Sequence, residues 1–400
     1  MFQELIITNK VLLDKFFEEL NFDLYLTKPQ LKNLKSILNA MMSDGFNGKV
    51  SQIAEAVPDK DRTSINRFIS RSSWDESLLQ KSLKNFVLDI IWKRSKETDK
   101  PICFIIDDTI SKKTKPSSKA IKPIEKCNFA YSHLENKQVY GHQIVVSLLS
   151  CDGLRLPYSI DIYDKNHMSK IELSESLIQS LPKPVKNGVV LCDSWYSSKD
   201  IFKASKSVEF NFIGAIKTNR VLFPKSHERL GIKLNNFAKI LDVDSFDLVT
   251  VNNKEYYVYN YIGNLKDMKN ISIVISYPKE SFHDNKCLKA FISLNSNLSS
   301  LEILTQYAER WSIELFFKNC KGNLGLNGYQ VRSERSINRY LLLMLINYAY
   351  CSLNSKGTNH FNTGFKLMKN DLKKSKIMAI YNSAKNGIAL EQIFKELKIA

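Results

Sequence analysis

Apolar positions recur at helical spacing through the first hundred residues, ending in a long amphipathic stretch from Trp74 to about Ser95 before the break at Lys100 and Pro101. Within "SQIAEAVPDKDRTSINRFISRS" the spacing predicts two short helices, one from Ser51 as N-cap to Ala56 and one from Asp61 to Ile69, joined by a turn containing Pro58. The second would turn Ile65, Phe68 and Ile69 inward and leave Arg62, Ser64, Asn66, Arg67 and Arg71 outside. A helix-turn-helix that sets its second helix in a DNA groove has this arrangement, and so does a plain helical hairpin.

At "PICFIIDDT" the pattern changes, with five apolar residues from Ile102 to Ile106 predicting a buried central strand that stops at Asp107 and Asp108. A lysine-rich loop, "SKKTKPSSKAIKPIEK", follows. "QIVVSLLSCDGLRLPYSIDIY" predicts a hairpin, Val145 to Leu149 and Pro157 to Tyr163, around an Asp152-Gly153 turn. After a helix around Lys170 to Ser180, Val189 to Cys192 form a second apolar run ending in Asp193. A helix from Ser197 or Ser198 and a strand at Phe212 to Lys217 come next. Residues 218–300 are β-rich, as in "KEYYVYNYIG" and "ISIVISY", and helical periodicity returns at Leu301. From residue 332 another helix carries Arg332, Arg335 and Arg339 along one side, and a basic segment with Lys366, Lys369, Lys373, Lys374 and Lys376 closes the chain.

Composition narrows the function. With 44% apolar residues the chain can fill well-packed cores, and its 58 Lys and Arg against 41 acids give a net charge of +17. Charge of that sign, spread over the whole length, suits a polyanion, above all nucleic acid. Seven scattered cysteines without a C-x-x-C pair, and an opening without a charged-then-apolar leader, fit a reducing cytoplasm. No apolar run reaches the roughly 20 residues of a membrane span.

Carboxylates at the ends of two separate apolar strands are costly to keep charged near a core unless a cation compensates. Glu314 in "YAERWSIELFFKNCK" would complete a cluster able to hold two Mg²⁺ ions, the arrangement suited to phosphodiester chemistry, with Mn²⁺ as an acceptable substitute. On one continuous helix, Tyr307, Arg310, Glu314 and Lys321 fall at about 0°, 300°, 340° and 320°, one polar stripe, whereas Glu309 at about 200° points to the surface.

The order "IIDDT", "LCDSWY" and Y-x-x-R-x-x-x-E-x-x-x-x-x-x-K resembles the DDE transposases of bacterial insertion sequences, in the subgroup with a Tyr-Arg-Glu-Lys signature. The match runs over roughly residues 45 to 350, with 85 residues from Asp108 to Asp193 and 121 from there to Glu314. The resemblance implies an α/β fold: a ribonuclease H-like mixed sheet flanked by helices (99–217 and 301–365), interrupted by a β-rich insertion (218–300). A helical N-terminal DNA-binding domain (1–98) would precede it and the basic segment (366–400) follow. It assigns Asp108, Asp193 and Glu314 as catalytic metal ligands, with Asp107 a structural neighbour and Asp161 a weaker alternative. Tyr307, Arg310 and Lys321 would contact phosphates at the transposon end, with Arg62, Arg67, Arg332 and Arg335 as further DNA contacts.

The implied activity is Mg²⁺-dependent cleavage at terminal inverted repeats and 3′-end strand transfer into target DNA, by a cut-and-paste route and a homodimer on DNA. A metal nuclease of the same core without strand transfer, or a domesticated non-catalytic DNA-binding protein, would share most of these features. Related enzymes pass through a DNA hairpin and stack a flipped base on an aromatic, often a Trp of the insertion. Here Trp74, Trp92, Trp195 and Trp311 all lie outside it, leaving Tyr256, Tyr257, Tyr259 or Phe291, each better suited to sheet packing.

Overall fold

A computed structural model describes residues 7–57, 60–120, 123–132, 135–265 and 268–397; Pro58, expected in the turn between the two short helices, lies outside the described residues. Five helices open the chain: α1 (Ile7–Glu19), α2 (Lys28–Met41), α3 (Val50–Ala56), α4 (Arg62–Ser70) and α5 (Glu76–Thr98). Asp61 caps α4 by accepting the Ser64 N–H at 2.6 Å, and Asp75 caps α5 through the Ser77 N–H at 2.8 Å, satisfying donors that a helix start leaves orphaned. Ile65, Phe68 and Ile69 are buried as their spacing requires. Ser51 is not a cap: α3 starts at Val50, and the Gln52 side chain accepts the Asn47 N–H at 2.9 Å instead.

The strands β1 (Ile102–Lys112), β2 (Asn128–Ser132), β3 (Lys137–Cys151) and β4 (Leu154–Ile162) precede α6 (Lys170–Gln179), β5 (Gly188–Cys192), α7 (Lys199–Ser207) and β6 (Phe210–Ile216). β1, β5 and β6 run parallel at the centre, where β5 is buried at every position, the mark of a strand covered on both faces. Next come β7 (Val221–Leu222), β8 (Ile232–Lys233), α8 (Leu234–Lys239), β9 (Asp247–Val251), β10 (Lys254–Leu265), β11 (Met268–Pro278) and β12 (Lys289–Ser293). This β-rich stretch extends the sheet, because β12 pairs antiparallel with β6; the order among the described residues is β2-β3-β1-β5-β6-β12-β11-β10-β7-β8, with β4 on β3 and β9 on β10. The chain ends with α9 (Ser300–Ala308), α10 (Trp311–Asn323), α11 (Glu334–Leu353), α12 (Phe361–Lys385) and α13 (Leu390–Glu396).

Two departures from the sequence pattern bear on the site. β1 does not stop at the aspartates but continues to Lys112 in unbroken antiparallel register with β3, so Asp107 and Asp108 point to opposite faces of the sheet. The helix expected through residues 307–321 is interrupted, with i to i+3 bonds from the Arg310 N–H to Tyr307 and from the Ile313 N–H to Arg310 tightening the backbone between α9 and α10.

Two of the points at which the N-terminal helices meet this frame bear on the site. Arg339 of α11 is wholly buried and donates to the carbonyls of Phe68, Ile69 and Ser72 at 3.2, 3.3 and 2.9 Å and to that of Trp74. It also pairs with Glu76 at 2.9 Å and lies 4.0 Å over the Trp74 ring, so one side chain secures the C-terminal end of α4 and the start of α5. At the second point a Cβ on Gly328, in the loop after α10, would overlap the Asn47 carbonyl, so backbone meets backbone where only glycine fits. Among the described residues no helix is long and apolar enough to cross a membrane.

Candidate active site

Strand alternation divides the acids. Asp107 and Thr109 face α10: the Arg310 guanidinium donates to Asp107 at 2.9 Å and to Glu314 at 2.8 Å, and Lys321 Nζ donates to Thr109 Oγ1 at 2.7 Å. Asp108 faces the other side, toward α6, where Lys170 Nζ pairs with one carboxylate oxygen at 2.6 Å and the Tyr196 hydroxyl donates to the other at 2.8 Å. The expectation that Asp108 stands with Glu314 and that Asp107 is its structural neighbour therefore inverts in placement. The signal was available, since Asp-x-Thr at i and i+2 puts Asp107 and Thr109 on one face.

Asp193 leaves the C-terminal end of β5 and turns back on its own chain, accepting the backbone N–H groups of Trp195 and Tyr196 at 2.8 and 3.3 Å through one oxygen. Burial raises the Asp107 carboxyl to about 7; Asp193 and Asp108 push the same way and Arg310 opposes them. Burial, then the Asp108 charge, raises the Tyr196 hydroxyl, keeping it a proton donor. Burial pulls Lys321 down, against Cys320.

The donor set is hard oxygen, and a cation already stands within it: the Arg310 guanidinium lies between Asp107 and Glu314, with its Nε buried and unpartnered. The chemistry suits Mg²⁺. Among the described residues, however, no three His, Cys, Asp or Glu side chains are gathered closely enough to hold one ion with Arg310 in this position.

The remaining candidates are distributed as follows. Tyr307 ends α9 with its ring 4.6 Å from Phe291 and 5.8 Å from the Arg310 guanidinium. Glu309 is not simply a surface acid, because it accepts from Arg155 at 3.1 Å on the neighbouring hairpin. Asp161 takes a short bond from Ser159 in β4, away from α10. Arg62 and Arg67 are exposed on α4, as is Arg332, whereas Arg335 reaches Glu76 at 3.7 Å beside Arg339. Of the aromatics in the β-rich block, Phe291 is buried, Tyr257 packs on Phe282 at 4.6 Å and Tyr259 on Phe237 at 5.9 Å. Of the two residues that fix Asp108, Tyr196 closes the "LCDSWY" motif without a role of its own there, and Lys170 carried no sequence signal beyond its type.

A family model described as "Transposase DDE domain" matches residues 98–350. No curated protein matches the sequence. Among solved structures the fold is similar to a piggyBac transposase in a synaptic complex with hairpin DNA, at 10% identity and a TM-score of 0.51, over 99% of this chain and 83% of that one. With well over half of its length matched by that domain, including β1, Asp193 and the whole of α10, the chain belongs to the DDE transposase family.

Proposed function

We propose that the chain is an insertion-sequence transposase of the Tyr-Arg-Glu-Lys subgroup, which cuts DNA at the element's ends and joins the freed 3′ ends to a target. The observation that carries this reading is the convergence of Asp107, Arg310, Glu314 and Lys321 on one face of the sheet, beside Asp193. We assign the first acid to Asp107 rather than Asp108, because only Asp107 shares the face of Glu314; Asp193 and Glu314 complete the triad. These three carboxylates would hold Mg²⁺, which when bound supplies activation of the attacking oxygen and stabilisation of the leaving one.

The chain's own groups do the rest. The Arg310 fork moves from its carboxylates to the oxygens of the scissile phosphate, and Lys321 meets a neighbouring phosphate as a point charge. The two backbone N–H groups on Asp193 fix one of its oxygens. Tyr196 and Lys170 hold Asp108 as a positioning residue on the opposite face of β1. In the first step water attacks phosphorus and the 3′ oxygen leaves; in the second that 3′-hydroxyl attacks target phosphate and a target 3′ oxygen leaves. Two ends must be brought together, so two copies act on DNA, with exposed Arg62 and Arg67 of α4 suited to end recognition.

The test is a labelled DNA carrying the element's own flanking repeats, incubated with target plasmid and Mg²⁺. The expected result is cleavage at the repeat followed by joined product, both lost in Glu314→Ala while repeat binding persists. Cleavage without joining would leave only a nuclease of the same core, and full activity in Glu314→Ala would overturn the assignment.

A further inference from the structure

The edge strand β2 is not absorbed by this chemistry, and its surface is unusual. Phe129 and Tyr131 are 56% and 48% exposed, separated by buried Ala130, so both rings project from one face. Lys115 Nζ sits 5.3 Å over the Phe129 ring, and Tyr140 of β3 meets that ring edge-on at 5.4 Å. Phe129 is registered with Tyr140, whose carbonyl accepts the Lys113 N–H at 2.9 Å just beyond the end of β1. By strand alternation the Phe129 side is therefore the side of Asp107, Thr109 and Lys113, the face on which α10 lies. Lys112 and Lys137, which share Glu135, belong by the same register to the opposite face of the sheet.

Half-exposed aromatics on a sheet edge invite unwanted pairing, and lysines alone would blunt such an edge more safely. Their retention among lysines fits a polyanion with flat apolar faces. The rings lie about 7 Å apart along the strand. That is twice the ~3.4 Å base step of duplex DNA, so a stacked duplex cannot match it and a stretched, unpaired strand can. Six residue steps, along β1 and one beyond its end, separate Asp107 from the level of Phe129, about 20 Å, or some six duplex steps.

We propose that Phe129 and Tyr131, with Lys115, form a stacking platform for an unpaired strand of the element's end, running off the acids along the same face of the sheet. The proposal rests on the reading of the chain as a DNA-cutting enzyme. Each base stacked on a ring contributes sequence-tolerant affinity and Lys115 neutralises a phosphate.

The test compares fluorescein-labelled (dT)12 with a 12-base-pair duplex, by anisotropy on the full chain in EDTA. Wild type is expected to bind both. Phe129→Ala/Tyr131→Ala should lose about tenfold or more for (dT)12 and less than about twofold for the duplex, the scale of ring-base stacking. Phe129→Trp/Tyr131→Trp should restore single-strand binding. Equal losses for both probes, or none, would overturn the platform, and so would a changed oligomeric state of the alanine variant in light scattering, which would mark the patch as a protein contact. If wild type bound neither probe, the DNA reading itself would fail; if it bound both and the alanine variant did too, only the platform would.

Discussion

Arg310, mostly buried, and Arg339, wholly buried, are both guanidinium groups paired with a glutamate, yet their surroundings give them opposite employment. Arg339 directs its donors to fixed backbone carbonyls at the junction of α4 and α5 and stacks on Trp74. Those carbonyls belong to backbone fixed by the fold, and losing the guanidinium would take a donor from each, although Trp74 Nε1 also donates to Phe68 at 2.9 Å and Arg335 to Trp74 at 3.4 Å. Arg310 instead spends two donors on carboxylates, leaves Nε unpartnered, and lies at the interrupted junction between α9 and α10. Carboxylates can take a metal in place of the guanidinium, and the guanidinium can take a phosphate in place of the carboxylates. The difference teaches that burial of a charged pair does not identify its role; what identifies it is whether the partners have an alternative.

Breaking the two pairs should separate stability from chemistry. Arg339→Ala removes a donor from Glu76 and from each of four carbonyls, and is expected to cost about 3–5 kcal/mol in urea unfolding, the scale for breaking a buried pair. DNA cleavage per folded molecule should be little changed. Stability preserved in that variant would show that the N-terminal helices are not held through this residue.

A somewhat smaller effect is expected near the second docking point. His142 is fully buried between the Tyr329 hydroxyl at 2.8 Å and the Glu125 carbonyl at 2.9 Å, and burial lowers its ring to about 4. The folded state thus holds it neutral while the unfolded chain takes up a proton near 6.5. The stability this provides is present above 6.5 and is lost as pH falls through 4, about 3 kcal/mol in all. Urea midpoints measured from pH 7.5 to 4 should show that fall, and His142→Gln should flatten it. An unchanged slope in the variant would place the acid sensitivity elsewhere.

The smallest of the three is Arg310→Ala, with about a hundredfold loss of cleavage rate, or ~2.7 kcal/mol. Its unfolding midpoint should hold or rise slightly in Mn²⁺, because the competing guanidinium is gone. A large stability loss with normal cleavage would make Arg310 a second Arg339.

Much of this was legible beforehand, for stated reasons. Periodicity located the buried faces of α4, β5 and the β3-β4 hairpin, because a residue's side of a helix or strand follows from spacing alone. The fixed spacing of Tyr307, Arg310, Glu314 and Lys321 marked the polar stripe although the helix is interrupted, because Glu309 and Arg310 keep helical backbone angles across the junction. What escaped depended on distant partners. The edge strand β2 lies among lysines and is defined only by pairing with β3. Glu309 reads as a surface acid until Arg155, 154 residues earlier, comes beside it. The opposite placement of Asp107 and Asp108 is hidden if β1 ends at Ile106, because the alternation that separates them belongs to the strand's continuation.

That separation is the most direct place to test the account. Asp107→Cys and Asp108→Cys, assayed for cleavage of an end substrate in Mg²⁺ and in Mn²⁺, set a hard oxygen against a softer sulfur at each position. The account predicts that Asp107→Cys is inactive in Mg²⁺ and recovers in Mn²⁺, while Asp108→Cys shows a modest loss that is the same with either ion. Metal-dependent recovery at position 108, with none at 107, would contradict it.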